Sequence, residues 1–375
     1  MAGIYLHIPF CKQACHYCDF HFSTSHKMKD DFVHALIEEI KIQRDYLNGE
    51  PLHTIYFGGG TPSLLSKENL VTIFETIHAV FKVSSNAEIT LEANPDDINA
   101  IKLNDFKALG INRLSIGVQS FFDEDLKFMN RVHDANMAID CIKKAQDFGF
   151  ENLTIDLIYG TPTLSNLHWS RNLEMAFNMD IPHLSCYCLT VEQKTALANF
   201  IRKGKVANVD EQRSSEHFEM MLHAMNDKGY EQYEISNFCK QNRYSRHNTA
   251  YWMKEKYLGV GPSAHSYNGI SRQWNVSNNA KYIQSLATGT IPFELETLSA
   301  NQQFNEYIMT ALRTKWGVDL AKIQDEFGLA CSNYLLNQIT EFIGRGLMFL
   351  ADDHLYLTNQ GKLLADDITS ELFII

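Results

Sequence analysis

Three cysteines in the run FCKQACHYCDF, namely Cys11, Cys15 and Cys18, carry the most chemistry in this sequence. A C-x3-C-x2-C spacing brings three thiolates into one small region, and no fourth cysteine follows closely. A fully ligated [4Fe-4S] cluster takes four thiolates, so a loop with three leaves one iron open. An open iron binds a ligand, whereas a fully ligated cluster mostly passes electrons. The spacing therefore points to chemistry at a cluster. The alternative is a structural zinc site of the Cys3His kind, with His16 or His21, although zinc ligands usually come as two couples separated by a longer loop. Disulfides fit less well, because eight cysteines in 375 residues is a dilute usage. The sequence also enters a strand almost at once, at GIYLHIPF, with no signal peptide ahead of it, so a reducing cytoplasm is the expected setting.

A cysteine loop needs elements that hold it. Six short segments read as strands: IYLHIPF (4–10), TIYFG (54–58), EITLEAN (88–94), RLSIGVQ (113–119), NLTIDLIYG (152–160) and HLSCYCLT (183–190). Helical stretches such as KDDFVHALIEEIKIQRDYL separate them, which predicts βαβ units and a parallel sheet, either doubly wound or rolled into a partial barrel. The period of two favours the barrel. Ile89, Leu91 and Ala93 share one face, and Glu88, Thr90, Glu92 and Asn94 the other. Leu114, Ile116 and Val118 oppose Ser115, Gly117 and Gln119; Leu153, Ile155 and Leu157 oppose Thr154 and Asp156; Ile4, Leu6 and Ile8 oppose Tyr5 and His7. A parallel sheet covered by helices on both sides is apolar on both, and burying Glu92 or Asp156 unpaired is expensive. Helices outside and a polar ligand in the lumen reconcile the pattern.

The loops agree with this arrangement. The cysteine loop, the run Gly58 to Pro62, Asn94-Pro95, Gln119-Ser120 and the run Gly160 to Pro162 each follow the C-terminal end of a strand. That rim is where parallel α/β folds bind ligands. Composition adds exclusions. The formal net charge of −12 argues against a nucleic-acid binder, which needs a basic footprint. No run of ~18 apolar residues offers a transmembrane segment.

C-x3-C-x2-C after a first strand and GGGTP after a second resemble the radical S-adenosylmethionine (SAM) enzymes. In that superfamily the open iron chelates the methionine amino and carboxylate groups of SAM, and an electron from the cluster cleaves its S–C5′ bond. The runs YLHIPFC, YFGGGTPSLL, LEANPDD, RLSIGVQSF, RVHD and IDLIYGTP extend the resemblance, over essentially the whole chain, to the oxygen-independent coproporphyrinogen III oxidases and their relatives. The resemblance implies an α/β radical SAM partial (β/α)6 barrel with a C-terminal α+β, winged-helix-like module. It implies Cys11, Cys15 and Cys18 as cluster ligands and SAM contacts at Tyr5, Gly59, Gly60, Thr61, Glu92, Gln119, Arg131 and Asp156. Four of these, Tyr5, Glu92, Gln119 and Asp156, already point inward by periodicity. Arg131 suits the SAM carboxylate as a fixed planar donor.

Two departures separate the chain from the oxidases. They extend the motif to C-x3-C-x2-C-x-C, where this chain has Phe20, and they carry a longer segment before the first strand. The run Arg246 to Trp252 instead resembles the HNxxYW motif of a sister group, the HemW haem chaperones, whose motif histidine is proposed to contact haem. The resemblance thus implies that His247 contacts haem. It further implies a chain that binds haem, a [4Fe-4S] cluster and SAM, and passes haem to haem-dependent acceptor proteins, membrane respiratory enzymes among them, with a homodimer left open. Oxidative decarboxylation of coproporphyrinogen III in porphyrin biosynthesis is the alternative; we expect SAM binding with little or no oxidase activity. His265, in GVGPSAHSY, is a further candidate for the haem or SAM pocket. The expected organisation is a barrel over residues 1–235, a connecting lid segment with the HNxxYW motif over 236–297, and a C-terminal module over 298–375, whose acidic turns suit a lid or a docking surface better than DNA.

Overall fold

The six expected strands form the centre of one continuous curved sheet. The structure, a computed structural model, describes residues 2–375. Strands β1 (Ala2–Ile8), β2 (Leu52–Gly59), β3 (Val83–Ala93), β4 (Arg113–Gln119), β5 (Leu153–Tyr159) and β6 (His183–Cys188) lie parallel and in sequence order. Between them run α1 (Lys29–Ile42), α2 (Lys67–Val80), α3 (Ala100–Ala108), α4 (Asp123–Phe128), α5 (Ala135–Asp147) and α6 (Asn166–Asn178). Side chains of Ser66, Asn99, Asp134 and Ser165 cap α2, α3, α5 and α6 by accepting the N–H three residues on, which satisfies donors the helix cannot. The apolar strand faces are buried against the helices: Ile4, Leu6, Leu91, Leu114, Ile116, Ile155 and Leu157 pack with Leu36, Ile73, Phe106, Ile142 and Leu173. At roughly 1.5–3 kcal/mol for each large apolar side chain, this outer wall is the main source of stability.

The barrel does not close. Helices α7 (Ala196–Arg202) and α8 (Glu211–Asp227) lead to β7 (Glu231–Glu234) and β8 (Asn237–Cys239), which add antiparallel beyond β6. At the other edge β9 (Tyr257–Val260) lies parallel beside β1, followed antiparallel by β10 (His265–Tyr267), β11 (Ser271–Asn275) and β12 (Phe293–Thr297). The stretch 236–297, expected as a connecting lid, therefore supplies five strands of the main sheet. Its HNxxYW motif forms the helix α9 (Arg246–Trp252), capped by Ser245; the four-residue spacing puts His247 and Tyr251 on one face.

Helix α10 (Asn279–Leu286) packs on α1. A second hydrophobic core follows, built from α11 (Ala300–Leu312), α12 (Leu320–Gly344), a sheet of β13 (Val318–Asp319), β14 (Met348–Ala351) and β15 (His354–Leu357), and α13 (Asn359–Leu363) and α14 (Ala365–Glu371). Asp352 and Asp353 both take positive φ in the hairpin turn whose twist matches its strands, as expected. Asn359-Gln360-Gly361 opens α13 under a Thr358 cap.

The polar inner face splits into two layers by depth. At the strand starts, Thr54, Glu88, Arg113, Thr154 and His183 are all buried and bond to one another and to α9. Arg113 Nε lies 3.9 Å from Glu88 Oε2, and its Nη2 donates to Thr154 Oγ1. Thr154 Oγ1 is 3.1 Å from His183 Nδ1, and His183 Nε2 is 2.7 Å from the Tyr233 hydroxyl. This buried polar plug closes the lumen floor. The upper layer, at the strand ends, lines a cavity.

Candidate functional site

The cysteine loop is strapped to the rim by backbone bonds rather than by a core of its own. Cys11 N–H donates to the Ser23 carbonyl at 3.0 Å, and His16 N–H to the Met129 carbonyl at 3.1 Å. The Asn130 amide donates to the Ala14 carbonyl at 2.7 Å, and Gln13 to the Asn130 carbonyl at 3.0 Å. Lys12 pairs with Asp96 at 2.6 Å and with Asp97. The loop after β1 is thus pinned to the loops after β3 and α4.

A chain of polar contacts ties the thiols to the strand ends. Thr61 donates to Cys11 Sγ at 3.6 Å, and Asn94 Nδ2 to Thr61 Oγ1 at 3.1 Å. Arg131 Nη2 donates to Asn94 Oδ1 at 2.6 Å and to the Gly117 carbonyl at 2.8 Å, while its Nη1 reaches Cys15 Sγ at 3.3 Å. Glu92 accepts from the Tyr56 hydroxyl at 2.8 Å and from Gly59 N–H at 3.2 Å. Gly59 takes φ +107°, which L side chains rarely adopt, and a Cβ at Gly60 would come within 2.7 Å of the Phe10 carbonyl. Only glycine lets this turn lie on the cysteine loop. Gln119 also takes a left-handed φ of 66° at an irregular end of β4, a conformation that costs ~1–2 kcal/mol and collects at functional sites.

One cavity is lined by all three cysteines and by Gly59, Gly60, Thr61, Glu92, Gln119, Arg131 and Asp156. Seven of the eight expected SAM contacts therefore meet the three thiols. Tyr5 does not line it; it borders a neighbouring cavity, where its hydroxyl lies 3.2 Å from His7 Nδ1. His247 lines neither cavity: it is 2 % exposed and sits over the lumen floor. Its Nδ1 is 2.7 Å from Thr54 Oγ1, its Nε2 is 2.7 Å from the Tyr251 hydroxyl, and its ring stacks 4.9 Å from Tyr56. Both ring nitrogens of His247, the residue where the resemblance implies a haem contact, are thus bonded within the protein. Sequence reasoning missed Tyr56 as the partner of Glu92 and Asn94 as the bridge from Thr61 to Arg131. The same period of two that turned Glu92 and Asn94 inward, applied to β2, puts Tyr56 on that face as well.

The donor set fits a three-thiolate cluster. All eight cysteines are free, and Cys11, Cys15 and Cys18 are half-buried. Among the described residues no three such side chains converge on a single ion; a tetrahedral zinc needs that convergence, whereas a cube takes each thiolate on its own iron. The zinc alternative also needed His16 or His21, each of which spends one ring nitrogen elsewhere: His16 Nδ1 on the Phe128 carbonyl at 2.9 Å and His21 Nε2 on Asn279 Oδ1 at 2.7 Å. Burial pushes the Cys18 thiol up to about 12 and raises Cys11, and a coordinating metal deprotonates such thiols outright. Beside them the buried Arg131 Nε has no partner, so the site holds an unspent cationic donor for an anionic group. Burial also lifts Glu92 to about 7 and Asp156 to about 6.

Comparison with known proteins gives this site its family. The Radical SAM superfamily model matches residues 5–176, and the HemN C-terminal domain model matches residues 298–364. The chain is 36% identical over 372 residues to the heme chaperone HemW of Bacillus subtilis (strain 168), covering 98% of each. It is 32% identical over 382 residues to the heme chaperone HemW of Escherichia coli (strain K12), covering 99% of this chain and 98% of that one. Among solved structures, coproporphyrinogen III oxidase (HemN) from Escherichia coli superposes with a TM-score of 0.86 at 22% identity, over 99% of this chain and 90% of that one, and shares its fold. Built on the radical SAM fold from β1 to its C-terminal module, the chain belongs to the HemW haem-chaperone family.

Proposed function

We propose that this protein binds haem and hands it to haem-dependent acceptor proteins, respiratory enzymes among them, with a cluster and SAM at the strand-end rim. The observation that carries the reading is the similarity to proteins named heme chaperone along the full length of both chains. Decarboxylation of coproporphyrinogen has less support. Phe20 stands where the oxidase motif carries a further cysteine, and its ring is 68% exposed at the cavity mouth. A cytoplasmic setting is part of the proposal, supported by eight free cysteines. No helix of the described residues is long and apolar enough to cross a membrane.

When bound, the cluster and SAM supply one-electron chemistry at a sulfonium centre. In our reading Cys11, Cys15 and Cys18 hold three irons, and Arg131 offers its planar donors to the SAM carboxylate. Glu92, fixed by Tyr56 and the Gly59 N–H, receives a cationic group, and Asp156 and Gln119 close the site from β5 and β4. The test is anaerobic reconstitution followed by three assays on one sample: haem binding and transfer to a haem-free acceptor, SAM cleavage, and coproporphyrinogen turnover. We expect transfer without protoporphyrinogen; turnover at enzymatic rates would replace the carrier with a catalyst.

The raised carboxyls give this site a pH dependence. Their protonated forms are favoured in the empty fold, so they stabilise it at low pH, and that contribution is lost as pH rises through about 6 to 7. A cationic ligand reverses the preference, because it binds the carboxylate. SAM affinity should therefore rise about tenfold from about pH 6 to 8, with net proton release. Calorimetry on the reconstituted protein reads both, and Glu92→Gln should flatten the profile. A flat wild-type profile would put Glu92 outside the binding site.

A further inference from the structure

A second cavity, of about 530 Å³, opens beside the cluster site between β1, α9, β9 to β11 and α11. Its size lies within the about 300–1,000 Å³ of small-molecule pockets. The walls suit a flat apolar macrocycle: Phe20, Trp252 and Tyr257 line it, and Tyr251 meets Tyr257 edge-on at 4.4 Å. A haem also carries carboxylates at one edge. Lys254 lines the cavity, spends one hydrogen bond on the Gln303 carbonyl at 3.1 Å and makes no salt bridge among the described residues. Two of its three donors remain. Arg272, on the same wall, is already paired with Glu296 and Glu306.

Three histidines border this cavity, and their hydrogen bonds rank them as iron ligands. His7 spends both nitrogens: Nε2 donates to the His21 carbonyl at 2.9 Å, so Nδ1 accepts from the Tyr5 hydroxyl at 3.2 Å. His21 spends Nε2 on Asn279. His265 makes no side-chain hydrogen bond among the described residues; its ring is oriented by stacking 6.1 Å from Trp274, its partner across the β10–β11 pair. Its side chain is exposed to solvent yet hemmed in by protein, and burial with the nearby Arg272 holds its imidazole below the usual range. The neutral imidazole is the form that ligates a metal.

We propose that this cavity is the haem seat and that His265 ligates the haem iron, with Lys254 taking a propionate. The proposal rests on the haem-carrier reading above and gives it a place. It also reassigns the HNxxYW helix: Tyr251 and Trp252 form part of the wall, while His247, beneath them, is a positioning residue that fixes the Tyr251 hydroxyl.

The test is titration of hemin into reconstituted wild-type protein and into His265→Ala, Lys254→Ala and His21→Ala, read by the Soret band and by EPR. We expect His265→Ala to shift the Soret band, to alter the spin state and to weaken hemin binding roughly tenfold, and added imidazole to restore the wild-type spectrum. Imidazole rescue separates a lost ligand from a damaged fold. Lys254→Ala should weaken binding several-fold with the band unmoved. A His265→Ala spectrum superimposable on wild type, or a band displaced only by His21→Ala, overturns the assignment and leaves the carrier reading standing. Failure of wild type itself to bind hemin removes that reading, and this proposal with it.

Discussion

Alanine in place of Cys15 leaves the anaerobically reconstituted protein without iron or acid-labile sulfide above background, while its cluster-free unfolding transition barely moves. The two halves of this expectation have separate causes. A cube with three protein ligands loses a third of its anchorage with one thiolate, and His16 and His21 each have a ring nitrogen held by another partner. Stability is spared because Cys15 is half-exposed and lies outside the hydrophobic cores, where truncation usually costs under ~0.5 kcal/mol. Its one close polar contact is with Arg131, which keeps Asn94 and the Gly117 carbonyl as partners. Cys11→Ala and Cys18→Ala should behave alike. Iron and sulfide analysis with EPR of the reduced protein checks the loss. Adding SAM to wild type should then perturb that spectrum; an unresponsive cluster would mean that protein side chains cap all four irons.

His247→Ala has the opposite profile: a large loss of stability and little change at the haem. The imidazole is fully enclosed, bonded to Thr54 and Tyr251 and stacked on Tyr56. Removing it leaves a cavity and two hydroxyls short of a partner, together worth about 2–4 kcal/mol. The pH dependence of that loss has a definite sign. Burial, with the Arg113 guanidinium, holds His247 down to about 3 in the fold, whereas an unfolded histidine takes up a proton below ~6.5. Wild-type stability from this residue is therefore present above that pH and is lost on acidification. The gap between wild type and His247→Ala in urea should narrow from neutral pH towards pH ~5. Hemin bound to the folded variant should keep the wild-type Soret position. A displaced band with unchanged stability would return His247 to the iron.

The inner face of β3 shows what periodicity can and cannot supply. Alternation along β3 turned Glu88 and Glu92 to the same side, and both do face the lumen. They lie about 13 Å apart along the strand, and one belongs to the plug with Arg113 while the other belongs to the ligand site. A period of two reports the face but is silent about depth. The cysteine loop and glycine turn were legible because their chemistry depends on sequence-local spacing. The strands beyond β1 were not, because HSY and SRQWN are too short and too polar to show alternation, and they join the sheet through β9, which pairs with β1 across some 250 residues of chain. Neither the cavity they enclose nor the free imidazole of His265 can be read without that pairing.

Phe20 is shared: its ring lines both the cluster cavity and the larger cavity beside it. Two guests that press on the same movable side chain have linked occupancies, and the linkage is reciprocal. Whatever factor SAM imposes on the dissociation constant of hemin, hemin must impose on that of SAM. A chain stripped of its metal by oxygen would then bind its passenger differently from an intact one, with no other sensor required.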